Sequence, residues 1–234
     1  MKRKRDMEKK SSEISSAIEE LSLMVVVKPS AVAGNHEHHH DDDGAAASAQ
    51  IPTKPFLSIC HLVLQVLDKI GPTMAVLRQD IHQNIKRLEL MHESNPSLNS
   101  NLVEILKSEV SKGISRKRCS CSKALVWLTR SLDFAMALLR SLAKDPNKSM
   151  EQVVEESYAA TLTLWHGWIS SAAFRVAIKL VPDSETFMNL LREKDETCEA
   201  LKEKMQMLVS LLVPFLEDIH CILKVYNLDR LKST

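Results

Sequence analysis

Glycine and proline are scarce in this chain, with 5 Gly and 8 Pro in 234 residues. A multistranded β fold needs a turn residue every few positions, so this scarcity argues against one and favours long helices. Aromatic residues are also few, 3 Trp, 2 Tyr and 5 Phe, which makes each tryptophan more informative than usual. No apolar run in the sequence approaches the ~20 residues that a membrane-crossing helix requires. The formal net charge is only +1, which leaves no global basic field for nucleic acid. The start is the exception, because Lys2, Arg3, Lys4, Arg5, Lys9 and Lys10 there outnumber Asp6 and Glu8. The cysteine number is odd, at 5. Cys60, Cys198 and Cys221 fall at apolar helical positions and read as reduced core thiols of a cytosolic protein. Residues 21–27 with Ala31, Val32 and Ala33 behind them faintly mimic a signal peptide. Asp6, Glu8, Glu13 and Glu19 precede that run and Glu20 adjoins it, which argues against secretion.

What is present is an ordinary globular balance, 44% hydrophobic and 26% charged, over a length that suits one domain. Residues 1–50 read as a flexible N-terminal extension. Within it, residues 12–26 can form one short amphipathic helix. Residues 34–49 are low in complexity, with His36, His38, His39 and His40 followed by Asp41, Asp42 and Asp43. Such a stretch buries too little apolar surface to offset its ordering entropy. It reads as a polar spacer rather than a metal site, and Cys119 with Cys121 lacks the second pair that a zinc site needs.

The compact part is expected over residues 51–234. Thr53 with Pro55 in the first turn starts a helix that runs to Ile70 and stops at Gly71 and Pro72. Further helices are expected over residues 74–92, 102–112 and 122–143. The third of these four has Leu102, Ile105, Leu106 and Val110 facing inward. Ser149 and Gln152 form a capping box, opening a helical stretch toward Val181 that Gly167 interrupts. A short helix over 184–193 and a long one over 196–225 follow. The long one buries Leu201, Met205, Leu208, Leu212, Phe215, Ile219 and Leu223, with a kink expected at Pro214. The result is an all-α chain of seven or eight helices.

Three polar clusters interrupt these apolar helices. At about 100° per residue, Asp80, Asn84 and Arg87 fall within about 60° of one another, beside a stripe of Ile81, Ile85 and Leu88. Trp127 and Arg130 sit on the strongly apolar fourth helix, and Trp165, His166, Gly167 and Trp168 form the third cluster. Each residue also has a plainer reading. Asp80 suits a surface ion pair, and Trp127, His166 and Trp168 suit simple packing.

The three motifs taken together resemble the glycolipid transfer protein family over about residues 53–230. They are Asp-Ile-x-x-Asn-Ile at 80–85, Ala-Leu-x-Trp-Leu-x-Arg at 124–130 and Trp-His-Gly-Trp-Ile at 165–169. The resemblance implies a two-layer helical sandwich of about eight helices enclosing a hydrophobic tunnel for lipid chains. It implies head-group contacts from Asp80, Asn84, Arg87, Trp127 and His166. Trp127 would lie beneath the first sugar, and His166 would donate to the ceramide carbonyl. Trp168 would dock at the membrane, and Phe134, Leu162, Phe174, Ile178 and Phe215 would line the tunnel.

The related phosphosphingolipid branch has cations in place of both the Asn and the Trp. This chain keeps Asn84 and Trp127, as suits a sugar that needs stacking and neutral hydrogen bonds. Arg87 stands where the family usually has Lys, and Gln83 where many members have Gly. Both crowd a bulky head group, so a monoglycosylceramide is the expected ligand. Lys86 and Arg87 keep a ceramide-1-phosphate carrier open as an alternative, and a sphingolipid sensor is the other. The resemblance further implies passive exchange by a cytosolic monomer in transient contact with membranes. It implies no enzyme activity, cofactor, metal or nucleic acid. The basic residues 2–5 suit nuclear targeting or contact with an anionic lipid equally well.

Overall fold

A computed structural model of the chain describes residues 11–27, 50–145 and 148–232. The described residues contain nine α-helices. They are α1 (Glu13–Val27), α2 (Thr53–Ile70), α3 (Ala75–Ser94), α4 (Leu102–Ser111), α5 (Cys121–Lys144), α6 (Met150–Thr161), α7 (Trp168–Ala177), α8 (Ser184–Leu191) and α9 (Cys198–Val225). Short 3-10 turns join some of them. The β-structure among the described residues is one isolated bridge between Pro52 and Asn101. The architecture is the expected all-α helical sandwich.

Local chemistry sets the helix ends. Gly71 closes α2 at φ 104°, a left-handed conformation that side chains resist, and its N–H reaches the Leu67 carbonyl. Ser149 and Gln152 form the expected reciprocal capping box on α6. The stretch after it breaks between Thr161 and Trp168, with Gly167 as the N-cap of α7. The start of α5 is held unusually firmly. Glu109, a buried carboxylate from α4, accepts hydrogen bonds from the backbone N–H groups of Cys121 (2.8 Å) and Ser122 (2.7 Å). A carboxylate at a helix N-terminus satisfies orphan donors and complements the helix dipole.

α5 lies at the centre and packs on α3, α6 and α9. α2 packs on α1 and α3, and α1 on α9, so α1, α2, α3, α5 and α9 close a ring around the core. The first of these is a correction. Residues 12–24 belong to the core rather than to an appendage, since Ile14, Ala17 and Leu21 are buried against it. Polar bonds fix the same helix from outside. Lys69 Nζ meets Glu13 Oε2 at 2.5 Å, and Glu193 Oε1 accepts from Ser15 Oγ at 2.7 Å and Ser12 N at 3.2 Å. The Ser15 hydroxyl, then the Ser12 N–H and hydroxyl and Lys204, pull the Glu193 carboxyl down to about 2. The histidine- and aspartate-rich residues 36–43 and the basic residues 2–5 lie outside the described residues.

Three smaller expectations also change. Val110 faces outward, because Glu109 takes the inward place on α4 to cap α5. Leu216 takes the buried place beside Pro214, while Phe215 is half-buried with its ring 6.4 Å from that of Phe56. Among the five thiols, all free, Cys60 and Cys121 are buried and Cys198 and Cys221 are exposed. Cys198 opens the first turn of α9 and Cys221 lies on its outer side, between the buried Ile219 and Ile222.

Candidate functional site

α3 carries the first cluster. Ile81, Ile85 and Leu88 are buried, as the stripe beside the polar residues required. This fixes the rotation of the helix and lines up Asp80, Asn84 and Arg87 along its next face. Asn84 is buried, and its amide is used at both ends. Nδ2 donates to the Asp80 carbonyl at 3.0 Å and reaches Asp80 Oδ2 at 3.5 Å, while Oδ1 accepts from Arg87 Nη1 at 3.1 Å. Asp80 keeps one side toward solvent. Desolvation by the protein around it raises its carboxyl above the usual range, with Arg87 pulling in the other direction. A carboxylate held at this cost, with acceptor capacity to spare, is suited to receive donors from hydroxyl or amide groups.

α5 carries Trp127 and Arg130. Leu125, Val126 and Leu128 are buried and anchor the helix, which leaves the Trp127 indole half-buried. The His166 ring lies 5.7 Å from it, tilted by 37°. Arg130 is 4% exposed, and its Cζ lies 4.9 Å from the Trp127 ring centroid and 4.2 Å from that of Trp165. Burial pulls the Arg130 guanidinium down to about 10, which leaves it charged at neutral pH.

His166 sits in the segment between α6 and α7. Its Nδ1 shares a 3.1 Å hydrogen bond with the Tyr158 hydroxyl, which also lies 3.3 Å from Ser171 Oγ. Burial, then the Arg130 charge, lower the His166 imidazole below its ordinary value, so it is neutral at pH 7 and carries one N–H. When Tyr158 donates its one hydrogen to Nδ1 and accepts from the Ser171 hydroxyl, the imidazole proton resides on Nε2, which becomes a donor. Behind the pair, the Phe174 ring stacks on Tyr158 with centroids 3.5 Å apart and planes within 8°.

The two groups sit on adjoining helices. α3 packs on α5, and Cys121 Sγ lies 3.7 Å from the Arg87 carbonyl. Trp168 is 82% exposed at the start of α7, Ile169 and Val176 on the same helix are exposed too, and so is Leu164 in the segment before it. Of the proposed tunnel residues, Ile178 is buried, and Phe134, Phe174 and Phe215 are half-buried against the core. Leu162, also half-buried, caps the end of α6. Two surface cavities open elsewhere. One of about 500 Å³ is lined by Leu57, His61, Glu89 and His92, and one of about 250 Å³ by Arg140, Ala143 and Val209. Neither is lined by any of those five residues.

Sequence reasoning gave no role to Tyr158, Trp165 or Arg130. Tyr158 had a usable signal, as one of only 2 tyrosines on a helix whose capping box fixes its start. Arg130 was visible only as the last residue of a motif.

The family model for glycolipid transfer protein matches residues 51–193. The chain belongs to the glycolipid transfer protein family. It is 53% identical to glycolipid transfer protein 3 of Arabidopsis thaliana over 239 residues, covering all of both chains. Among solved structures, it is similar to that of FAPP2, which selects simple glycosphingolipids using the same fold. There the TM-score is 0.71 at 30% identity, over 79% of this chain and 90% of that one. It also shares its fold with the mouse ceramide-1-phosphate transfer protein, with a TM-score of 0.76 at 16% identity, over 94% of this chain and all of the other. The family is one of lipid-transfer proteins, and both head-group classes occur on this fold. Among the described residues, no helix is long and apolar enough to cross a membrane.

Proposed function

We propose that this protein binds a glycosphingolipid, a ceramide with one small sugar, and exchanges it passively between membranes. The observation that carries this reading is that the Asp80–Asn84–Arg87 hydrogen-bonded row stands on α3, which packs on α5, the helix carrying the half-exposed neutral indole of Trp127. Hydroxyls pair with the carboxylate and amide, and the C–H face of a sugar ring stacks on the indole. His166 Nε2–H donates to the ceramide carbonyl. A lipid without hydroxyls covers the Asp80 carboxylate without supplying it a donor, which penalises such a lipid.

Lipid chains supply the need for a carrier. Each methylene is worth ~0.8 kcal/mol, so exposing ~14 carbons to water costs about 11 kcal/mol. An apolar tunnel through Phe134, Leu162, Phe174, Ile178 and Phe215 removes that penalty, and exchange then needs no energy source. Those side chains part to admit the chains, while Trp168 and its exposed apolar neighbours touch the bilayer. The carrier acts as a cytosolic monomer, without catalysis or a cofactor.

The alternative head group is a phosphate, which Arg87 would attract. Two contacts weigh against it. Arg87 already donates to Asn84, and Lys86 lies 3.7 Å from Glu89. The test is vesicle-to-vesicle transfer of three lipids, a monoglycosylceramide, a ceramide phosphate and a phosphoglycerolipid. Fast transfer of the first alone is expected. Preference for the ceramide phosphate would overturn the sugar assignment, and binding without transfer would mark a sensor.

A further inference from the structure

We propose that Arg130 is a positioning residue for head-group selection, holding the Trp127 indole in register and tying it to the segment that follows α9. The inference rests on the sugar-stacking role proposed for Trp127. The guanidinium lies against Trp127 and Trp165 at 4.9 and 4.2 Å, bridging α5 to the Trp-His-Gly-Trp segment. Its donors are used on the opposite side of the molecule's chain order. Nη1 donates to the Leu231 carbonyl at 2.6 Å and Nη2 to the Asp229 carbonyl at 2.8 Å. That segment is itself fixed, because Leu228 is fully buried and Arg116 Nη2 donates to the Asn227 carbonyl at 2.8 Å.

Arg130 is therefore clamped by two backbone acceptors and presents a fixed planar cation to two indoles. An indole pressed against such a plane loses freedom to rotate about its side-chain bonds. A ring that must stack on a sugar gains from that restriction, since its ordering precedes binding. Lysine cannot reproduce the arrangement. Its ammonium is a point charge that can reach one carbonyl but offers no plane to stack on.

The experiment measures binding of a monoglycosylceramide and of plain ceramide, together with thermal melting, for the full chain and for Arg130→Lys, Arg130→Met and Trp165→Leu. A positioning role predicts that the ratio of the two affinities falls about tenfold in Arg130→Met. It predicts that Arg130→Lys recovers most of the melting temperature but not the ratio, and that Trp165→Leu lowers the ratio without touching lipid. A purely structural role lowers melting and both affinities together, leaving the ratio intact, and that result overturns the inference. Should Arg130→Met fail to fold, the ratio in Arg130→Lys decides. A wild-type chain indifferent to the sugar removes the proposed function and this inference together. A discriminating wild type whose Arg130→Lys variant discriminates equally well removes only the inference.

Discussion

The Tyr158 hydroxyl and His166 Nδ1 lie 3.1 Å apart, joining α6 to the segment that precedes α7. A neutral imidazole has one proton to place, and the partner of Nδ1 decides whether Nε2 offers a donor or an acceptor. Tyr158→Phe removes that control while keeping the ring that stacks on Phe174. Loss of one neutral hydrogen bond is worth about 1 kcal/mol, so transfer of a monoglycosylceramide should fall roughly fivefold. The melting temperature should fall by only about 2–4 °C. Undiminished transfer would show that His166 does not depend on Tyr158.

Asp80 should trade stability for function. Its carboxyl is raised in the fold, chiefly by desolvation, so the charged form is disfavoured there. The resulting penalty is absent below the unfolded value of about 3.8, grows as pH rises through the folded value and is then complete. Asp80→Asn should accordingly melt higher than the wild type at pH 7, with the difference vanishing near pH 3. Glycolipid transfer should be lost in the same variant. Equal melting at pH 7, or retained transfer, would each contradict this account.

Leu21 tests whether α1 is structural. It is 1% exposed, and truncating a buried leucine typically costs 2–5 kcal/mol, or about that range here. Leu21→Ala should lower the urea midpoint by a corresponding amount. A helix that merely decorated the surface would give no shift.

Trp168 separates docking from binding. It is 82% exposed and leaves the core untouched, so Trp168→Ala should fold and bind short-chain glycolipid normally. Its adsorption to vesicles and its transfer rate should drop severalfold, because an interfacial indole is among the most favourable membrane contacts. Unchanged adsorption would place the docking face elsewhere.

The sequence made most of the helices legible, for reasons visible at single residues. Gly71, the Ser149 and Gln152 pair and Gly167 each act through local backbone chemistry, so they marked helix ends directly. The stripe of Ile81, Ile85 and Leu88 fixed which face of α3 is polar. The destination of α1 was not legible. Ile14, Ala17 and Leu21 announce an amphipathic helix, but α2 and α9, which receive it, lie far along the chain, as do Lys69 and Glu193, 56 and 178 residues from their partners Glu13 and Ser15. Glu109 escaped for the same reason, since a glutamate beside Val110 reads as solvent-facing until α5 brings its unpaired N–H groups. Arg130 and Tyr158 act on other side chains, and pairings across helices leave no periodic trace.

α7 has no fully buried side chain. Substitutions on its outward positions, among them Trp168, Ile169 and Val176, therefore cost the rest of the molecule little cohesion. Under the docking role proposed for this face, selection can retune how strongly it adheres to a given bilayer without disturbing the head-group row on α3. On that proposal, the choice of membrane is free to diverge among descendants whose lipid selectivity stays the same.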